Sequence, residues 1–329
     1  METIWKNLTP ENIFKTVEET LGTKLSNICL KRNSYINRVY ELEKHDPRLP
    51  ADRHGERLIV KFYRPGRWAK PILQEEHRFL QELAEAELPV IPPLTIDNKT
   101  MFELEEISYA LFPKKGGRAV DEFDKEGWKT LGRTVARIHQ VGERHKDSTR
   151  MYWRPAVATG QHLELILQSD FLLPDFKTSL AKTAELFIRR ADPLFDESKF
   201  ILLHGDCHKG NIIFRPNEGY FVVDFDDMCF GPPVQDLWLL LPDTLGKSAN
   251  ELNWFVEGYE IFKPFDYEAL KLVPALRGMR IIHYAAWLAV QSAEPDFLNN
   301  FPQAGTPKYW NTLIKDLQQI VYGELEGRE

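Results

Sequence analysis

The sequence predicts an α+β chain of two lobes: a small sheet-rich N-lobe followed by a larger, mainly helical C-lobe. Three observations predict this. Short runs of strand character crowd into the residues before 113. From about Asp121 onward, apolar residues recur mostly at helical spacing. At 329 residues, the chain is longer than one typical hydrophobic core serves. The expected division is 1–113 and 114–329.

The first lobe opens on a helix. Thr9 suits the N-cap, Pro10 the first turn and Gly22 the C-terminal stop. Ile13, Phe14, Val17 and Leu21 give it one apolar face. Strand-like runs follow at Lys24–Leu30, Arg38–Leu42 and Leu58–Tyr63. The polar stretch Glu43–Glu56, with Pro47 and Pro50, reads as the loop of a hairpin. A helix is expected over Ala69–Glu85, with apolar positions Ile72, Leu73, Phe79, Leu80 and Leu83. Glu76 falls inside that apolar arc and Glu75 at its edge; a carboxylate inside an apolar stripe needs a partner. Ile91–Ile96 with Met101–Leu104, then Ser108–Phe112, read as further strands. Pro113-Lys114-Lys115-Gly116-Gly117 reads as the linker.

In the second lobe, helices are expected at Asp124–Val141, Phe171–Ala191, Glu251–Phe262, Tyr267–Val290 and Pro307–Tyr322. Two short apolar runs among them, Phe200–Leu203 and Tyr220–Val223, read as strands.

Composition narrows the function classes. Hydrophobic residues make up 43% and charged residues 28% of the chain, as in ordinary globular proteins. A formal net charge of -7 without a Lys/Arg block argues against nucleic acid as a partner. The three cysteines, Cys29, Cys207 and Cys229, are widely spaced and form no C-x-x-C. They point to a reducing compartment rather than a disulfide framework. Met1-Glu2-Thr3-Ile4-Trp5-Lys6 does not read as a signal peptide. The apolar runs near Trp238–Leu241 and Tyr284–Val290 are too short to span a bilayer. The expected location is cytoplasmic, with no membrane partner.

The chemistry concentrates where the two apolar runs of the second lobe end. Phe200–Leu203 leads into His204-Gly205-Asp206, and Tyr220–Val223 into Asp224. Between them lie Asn211, the strand-like Ile212-Ile213-Phe214 and a turn at Arg215–Gly219. A hairpin is expected to present Asp206, Asn211 and Asp224 at one end. Taken singly, either Asp is a turn residue at a strand end and Asn211 a cap. Taken in order, they supply parts that phosphoryl transfer needs. Asp206 accepts a hydroxyl proton, while Asn211 and Asp224 offer hard oxygen ligands to Mg²⁺. The spacing matches the protein-kinase catalytic loop and its metal-binding Asp.

A cation for nucleotide phosphates comes from Lys61, set in the apolar strand Leu58–Tyr63. Its expected partner is Glu76, with Glu75 as the alternative. A lysine on the solvent face of an edge strand is the plain alternative. No G-x-G-x-x-G lies between the first strands. Asn33-Ser34-Tyr35-Ile36-Asn37-Arg38-Val39 stands there instead, either a polar turn or a nest in which Ser34 and backbone N–H groups meet phosphate oxygens. Asp224-Phe225-Asp226-Asp227 places Asp226 where protein kinases carry the Gly of D-F-G. His204, Cys207 and His208 lie close together but lack the spacing of a zinc site; His204 is expected to orient the loop backbone.

With these residues in place, the chain resembles the aminoglycoside phosphotransferase and choline kinase branch of the protein kinase-like fold. Asn33–Tyr40, Val60–Pro65, Leu203–Asn211, Gly231–Trp238 and Arg277–Arg280 are similar to a bacterial group of stress-response Ser/Thr kinases within it. The resemblance implies a two-lobed kinase fold with a nucleotide-binding N-lobe and a catalytic, substrate-binding C-lobe. It implies ATP as co-substrate, Mg²⁺, and protein substrates with Ser/Thr acceptors, the chain itself among the candidates. It also implies a monomer with a role in envelope or oxidative stress. Asp206 matches the proton acceptor, Asn211 and Asp224 the metal ligands, with Asp224 also counted as a catalytic residue of the active site, and Ser34 a nucleotide contact. Asp236 matches an Asp expected to brace the catalytic loop; read from the sequence alone, it caps a helix. Two other readings stay open: a kinase of small-molecule hydroxyls of the aminoglycoside, choline or homoserine type, and a catalytically dead nucleotide-binding scaffold. Lys61, Asp206, Asn211 and Asp224 together argue against the scaffold.

Overall fold

In the computed structural model, which describes residues 5–48 and 55–325, Thr9 opens the first helix, α1 (Pro10–Leu21). The Thr9 hydroxyl accepts from Asn12 N at 3.3 Å, and Gly22 closes the helix at φ 63°. Three strands follow, β1 (Leu25–Arg32), β2 (Arg38–Lys44) and β3 (Arg57–Phe62). The ladder between β2 and β3 sets Glu43 opposite Arg57 and Val39 opposite Lys61. The loop expected over Glu43–Glu56 falls partly at 49–54, outside the described residues, as does the N-terminal run at 1–4.

Helix α2 (Lys70–Glu85) comes next, then β4 (Phe102–Leu104) and β5 (Ile107–Pro113). The strands form an antiparallel sheet in the order β1-β2-β3-β5-β4. The expected strand at Ile91–Ile96 is not one. Pro92 and Pro93 have no N–H to give a ladder. The segment is tied instead by Leu94 N to Leu111 O at 2.7 Å and by the bridge Ile96–Lys99. The expected linker is partly structured too: β5 takes in Pro113, and Arg118–Ala119 form β6 just beyond Gly117.

Helix α3 (Lys125–Gly142) starts at Asp124, whose carboxylate accepts from Gly127 N at 2.7 Å. A π-helical turn, Pro155–Thr159, leads into α4 (Gly160–Gln168), and α5 (Pro174–Ala191) follows. Neither the π-helical turn nor α4 is foreseen from the sequence. Helix α5 begins three residues later than expected because Pro174 belongs in a first turn. Next come β7 (Ile201–Leu203), β8 (Ile212–Arg215), β9 (Gly219–Val222), β10 (Cys229–Gly231) and the short α6 (Gln235–Trp238). Helices α7 (Ala249–Tyr259), α8 (Val273–Gln291), α9 (Phe297–Asn300) and α10 (Pro307–Gln319) complete the chain, with a π turn at Ile320–Glu324. The helix expected from Tyr267 begins as a 3₁₀ turn, Tyr267–Leu272, and becomes α-helical only where Pro274 fits its first turn.

The chain forms two compact units, Met1–Val120 with Ile212–Asp226, and Asp121–Asn211 with Asp227–Glu329. The sequence-based division is a single cut at 113/114, whereas these units interleave. The hairpin β8–β9 falls in the first unit because β6 pairs with β8 and Val222 N donates to Pro89 O at 2.9 Å. The core of that unit packs Ile13 and Val17 of α1 against Leu42, Val60, Phe62, Tyr109 and Leu111 of the sheet. In the second unit, β7 pairs with β10, with Leu203 opposite Cys229. Helices α3 and α7 meet backbone to backbone: a Cβ on Gly132 would lie 2.0 Å from Phe255 O.

Candidate functional site

The residues singled out from the sequence fall into two sets, one in each unit. In the first unit, Lys61 stands on β3, an inner strand with β2 and β5 on either side. It is not an edge lysine; its side chain is only 13% exposed. Its Nζ lies 3.7 Å from Glu76 Oε1, 3.6 Å from Asp224 Oδ1 and 3.1 Å from Asp226 Oδ1. Glu76 is the carboxylate that meets Lys61; Glu75 is buried as well. Burial alone lowers an ammonium pKa. Here that penalty is outweighed, first by Asp226, then by Glu76 and Asp224, so the Lys61 pKa rises well above its ordinary value.

Asp226 is the residue the sequence reading did not assign. It is buried and meets three donors: Lys61, Arg67 and Asn37 Nδ2, the last at 3.0 Å. Burial raises its pKa, but Lys61 and Arg67 pull it far below the usual carboxylate range. Asn37 also accepts from Arg64 N at 3.1 Å through Oδ1. It thereby anchors the β1–β2 loop that carries Ser34. Ser34 itself is half-buried in that loop. Asp224 differs from Asp226: its side chain is 57% exposed, and its backbone is left-handed at φ 64°. A non-glycine residue held there stores roughly 1–2 kcal/mol, a strain that clusters at functional positions.

In the second unit, β7 delivers the loop His204–Asn211. Gly205 has φ 81°, and a Cβ on it would lie 2.3 Å from Asp227 O. The middle of this H-x-D therefore takes only glycine. Asp236, at the start of α6, accepts from His204 N at 3.0 Å and from Gly205 N at 2.8 Å. It does not cap its helix; Val234 stands at the N-cap. Gln235 Nε2 donates to Gly205 O at 2.8 Å. Behind Asp236, His139 Nε2 lies 3.2 Å from Oδ2, and His139 Nδ1 lies 2.8 Å from the Tyr259 hydroxyl. All three side chains are buried. With Nε2 protonated toward Asp236, Nδ1 accepts from the Tyr259 hydroxyl, and the relay ties α3 and α7 to the loop. Asp206 N donates to His204 Nδ1 at 3.3 Å, so His204 does orient the loop backbone.

Asp206 has two polar neighbours, one of them a guanidinium. Arg280 Nη1 of α8 lies 2.8 Å from Oδ1, and His208 Nε2 lies 3.5 Å from Oδ2. Burial raises its pKa, but His208 and Arg280 together lower it, keeping the carboxylate ionised. The Arg280 contact is off hydrogen-bond geometry, and Oδ1 is buried without a hydrogen-bond partner. A buried carboxylate oxygen without a hydrogen bond calls for compensation, which here is the guanidinium charge of Arg280. Asn211 Nδ2 donates to Asp206 O at 3.0 Å, which commits the amide nitrogen and leaves its oxygen for a ligand.

Arg67, Asn37, His139, Tyr259 and Arg280 are absent from the sequence-based roles. Asn37 and Arg280 lie inside stretches that already carried the family resemblance. His139 had a signal as well, an imidazole among the buried positions of α3.

Among the described residues, no helix is long and apolar enough to cross a membrane. The family model described as "Phosphotransferase enzyme family" matches residues 30–273. Stress response kinase A of Escherichia coli (strain K12) is 33% identical over 311 residues, covering 93% of this chain and 90% of that protein. Serine/threonine protein kinase RdoA of Salmonella typhimurium is 32% identical over 311 residues, with coverage of 93% and 90%. Among solved structures, an amicoumacin kinase in complex with AMP-PNP, Ca²⁺ and Ami superposes with a TM-score of 0.75 at 16% identity, covering 97% of this chain and 95% of that one. The fold is that of these kinases, sheet-rich in its N-terminal part and helical in its C-terminal part, and the chain belongs to the phosphotransferase enzyme family.

Proposed function

We propose that this chain is an ATP-dependent Ser/Thr protein kinase of a bacterial stress response, acting in the cytoplasm as a monomer. The observation that carries the reading is Asp206, an ionised carboxylate with a buried, unsatisfied Oδ1 in a loop held by Asp236. The relatives named stress response kinase A and serine/threonine protein kinase RdoA support the protein acceptor and the stress role.

Each group has one task. The acceptor hydroxyl donates its proton to Asp206 as its oxygen bonds to the γ-phosphorus of ATP. The bond from that phosphorus to the β–γ bridging oxygen breaks, and ADP leaves. Lys61, oriented by Glu76, meets the nucleotide phosphates, and Ser34 with neighbouring backbone N–H groups adds donors. Asn211 and Asp224 present oxygen donors of the kind Mg²⁺ takes. Bound Mg²⁺ would neutralise charge building on the phosphate oxygens. The Asp206 loop orients the hydroxyl throughout.

The fold likeness to an amicoumacin kinase favours a second reading, transfer to a small-molecule hydroxyl by the same Asp206. Labelled ATP separates the two. The purified protein is incubated with Mg²⁺, candidate bacterial proteins and a panel of small alcohols, and the products are identified by mass spectrometry. Phosphoserine or phosphothreonine on protein is the expected result. Phosphate on small alcohols alone replaces the proposal with the second reading.

A further inference from the structure

Arg280 is a cation beside the proposed base, Asp206. Its guanidinium has five donors, and its one ion pair among the described residues is with Asp206 Oδ1, at 2.8 Å and off hydrogen-bond geometry. Its side chain is 29% exposed, so solvent and ligands reach it. The arginine one turn earlier on α8, Arg277, is engaged by the Glu324 carboxylate at 3.1 Å and 3.2 Å. His283, one turn later, is 3.2 Å from His162 and is held neutral by burial. Arg280 is therefore the cation on this stretch of α8 with donors to spare.

We propose that Arg280 is a specificity-determining residue that selects acceptors carrying an anionic group beside the hydroxyl. The assignment rests on Asp206 as the base. The hydroxyl donates to the Asp206 carboxylate, and the neighbouring carboxylate or phosphate takes the fork of Arg280. The same guanidinium repels an ammonium brought close to the base, so discrimination works by exclusion as well as attraction. Two sources offer this chemistry: a Ser or Thr flanked by acidic residues in a protein, and a small hydroxy acid.

The test compares wild type, Arg280→Gln, Arg280→Lys and Asp206→Asn. The peptide arm uses Ser peptides flanked by Asp, by Ala or by Lys. The small-molecule arm uses 3-hydroxybutyrate, propanol and 3-aminopropanol. Wild type should prefer the anionic member of one arm over the cationic member by about 10–100-fold in kcat/KM, and the arm in which this appears identifies the source. Arg280→Gln should remove most of that preference through KM for the anionic acceptor, and Arg280→Lys should restore part of it. Absence of a preference in wild type overturns the assignment. So does a preference that survives Arg280→Gln, or an equal loss of kcat on every acceptor, which marks a structural role. Asp206→Asn reads the underlying mechanism separately: if it transfers phosphate like wild type, the base is wrong whatever Arg280 does. Transfer to none of the acceptors by wild type overturns both.

Discussion

In the first unit, Lys61, Asp226, Glu76 and Arg67 hold one another by opposite charge. In the second, the His204–Asn211 loop is held by backbone N–H groups donated to one carboxylate, Asp236, with His139 and Tyr259 behind it. The two schemes have different consequences. An ion pair can trade one anion for another, so Lys61 can turn from protein carboxylates to nucleotide phosphates while Arg67 stays on Asp226. A carboxylate accepting backbone N–H groups cannot trade partners without releasing the loop. The first arrangement suits a binding lysine and the second suits a base that must stay in position.

The largest effect should come from the proposed base, Asp206. Asp206→Asn should lower kcat by about 10²–10⁴ and leave the thermal midpoint near that of wild type; steady-state kinetics and a melting curve check both halves. The fixed scaffold should fail next. Asp236→Ala leaves His204 N, Gly205 N and His139 Nε2 without their acceptor in a buried setting, which should cost about 3 kcal/mol or more in urea unfolding. A loss under about 1 kcal/mol would show that the loop does not depend on Asp236. The exchangeable scheme should be gentler on stability. Lys61→Met should weaken nucleotide binding by roughly tenfold or more while Arg67 still neutralises Asp226. Unchanged nucleotide affinity in calorimetry would remove Lys61 from the phosphate site.

Acid should separate the units more subtly. His162 and His283, both in the second unit, are pressed by burial from 6.5 to about 4 and about 3. The unfolded chain then binds protons that the folded one refuses, so their contribution is full above pH 6.5 and declines as pH falls toward 4. Glu41, in the first unit, has the opposite charge logic. Burial raises its pKa, but Lys114, Arg57 and Arg32 together bring it down to about 2. Its contribution is full above pH 4.5 and is lost as pH falls toward 2. Hydrogen exchange should show the second unit loosening at milder acid than the first. His283→Phe should flatten the limb between pH 6.5 and 4, and simultaneous loosening at one pH would contradict the assignment.

What the sequence disclosed follows the same contrast. Features written locally were legible: the Thr9 and Gly22 caps, Lys61 inside an apolar strand, Glu76 inside an apolar helical arc. The H-x-D-x-x-x-x-N spacing was legible for the same reason. Features that depend on long-range pairing were not. Cys229–Gly231 is three residues long and becomes a strand only because β7 lies beside it. Arg118–Ala119, beyond a Gly-Gly pair, becomes one through β8. Ile91–Ile96 has the apolar content of a strand, but Pro92-Pro93 gives no N–H to a ladder. Asp226 went unassigned because its partners, Lys61, Arg67 and Asn37, lie more than a hundred residues away in sequence.

The central claim is a division of labour: Asp224 serves the nucleotide and its cation, and Asp206 serves the acceptor hydroxyl. Mg²⁺-dependent ATP affinity, measured by calorimetry on Asp206→Asn and Asp224→Asn side by side, tests it most directly. Asp206→Asn should bind Mg²⁺-ATP as wild type does, and Asp224→Asn should bind it weakly or not at all. Equal affinities in the two variants, or the reverse order, would contradict the account.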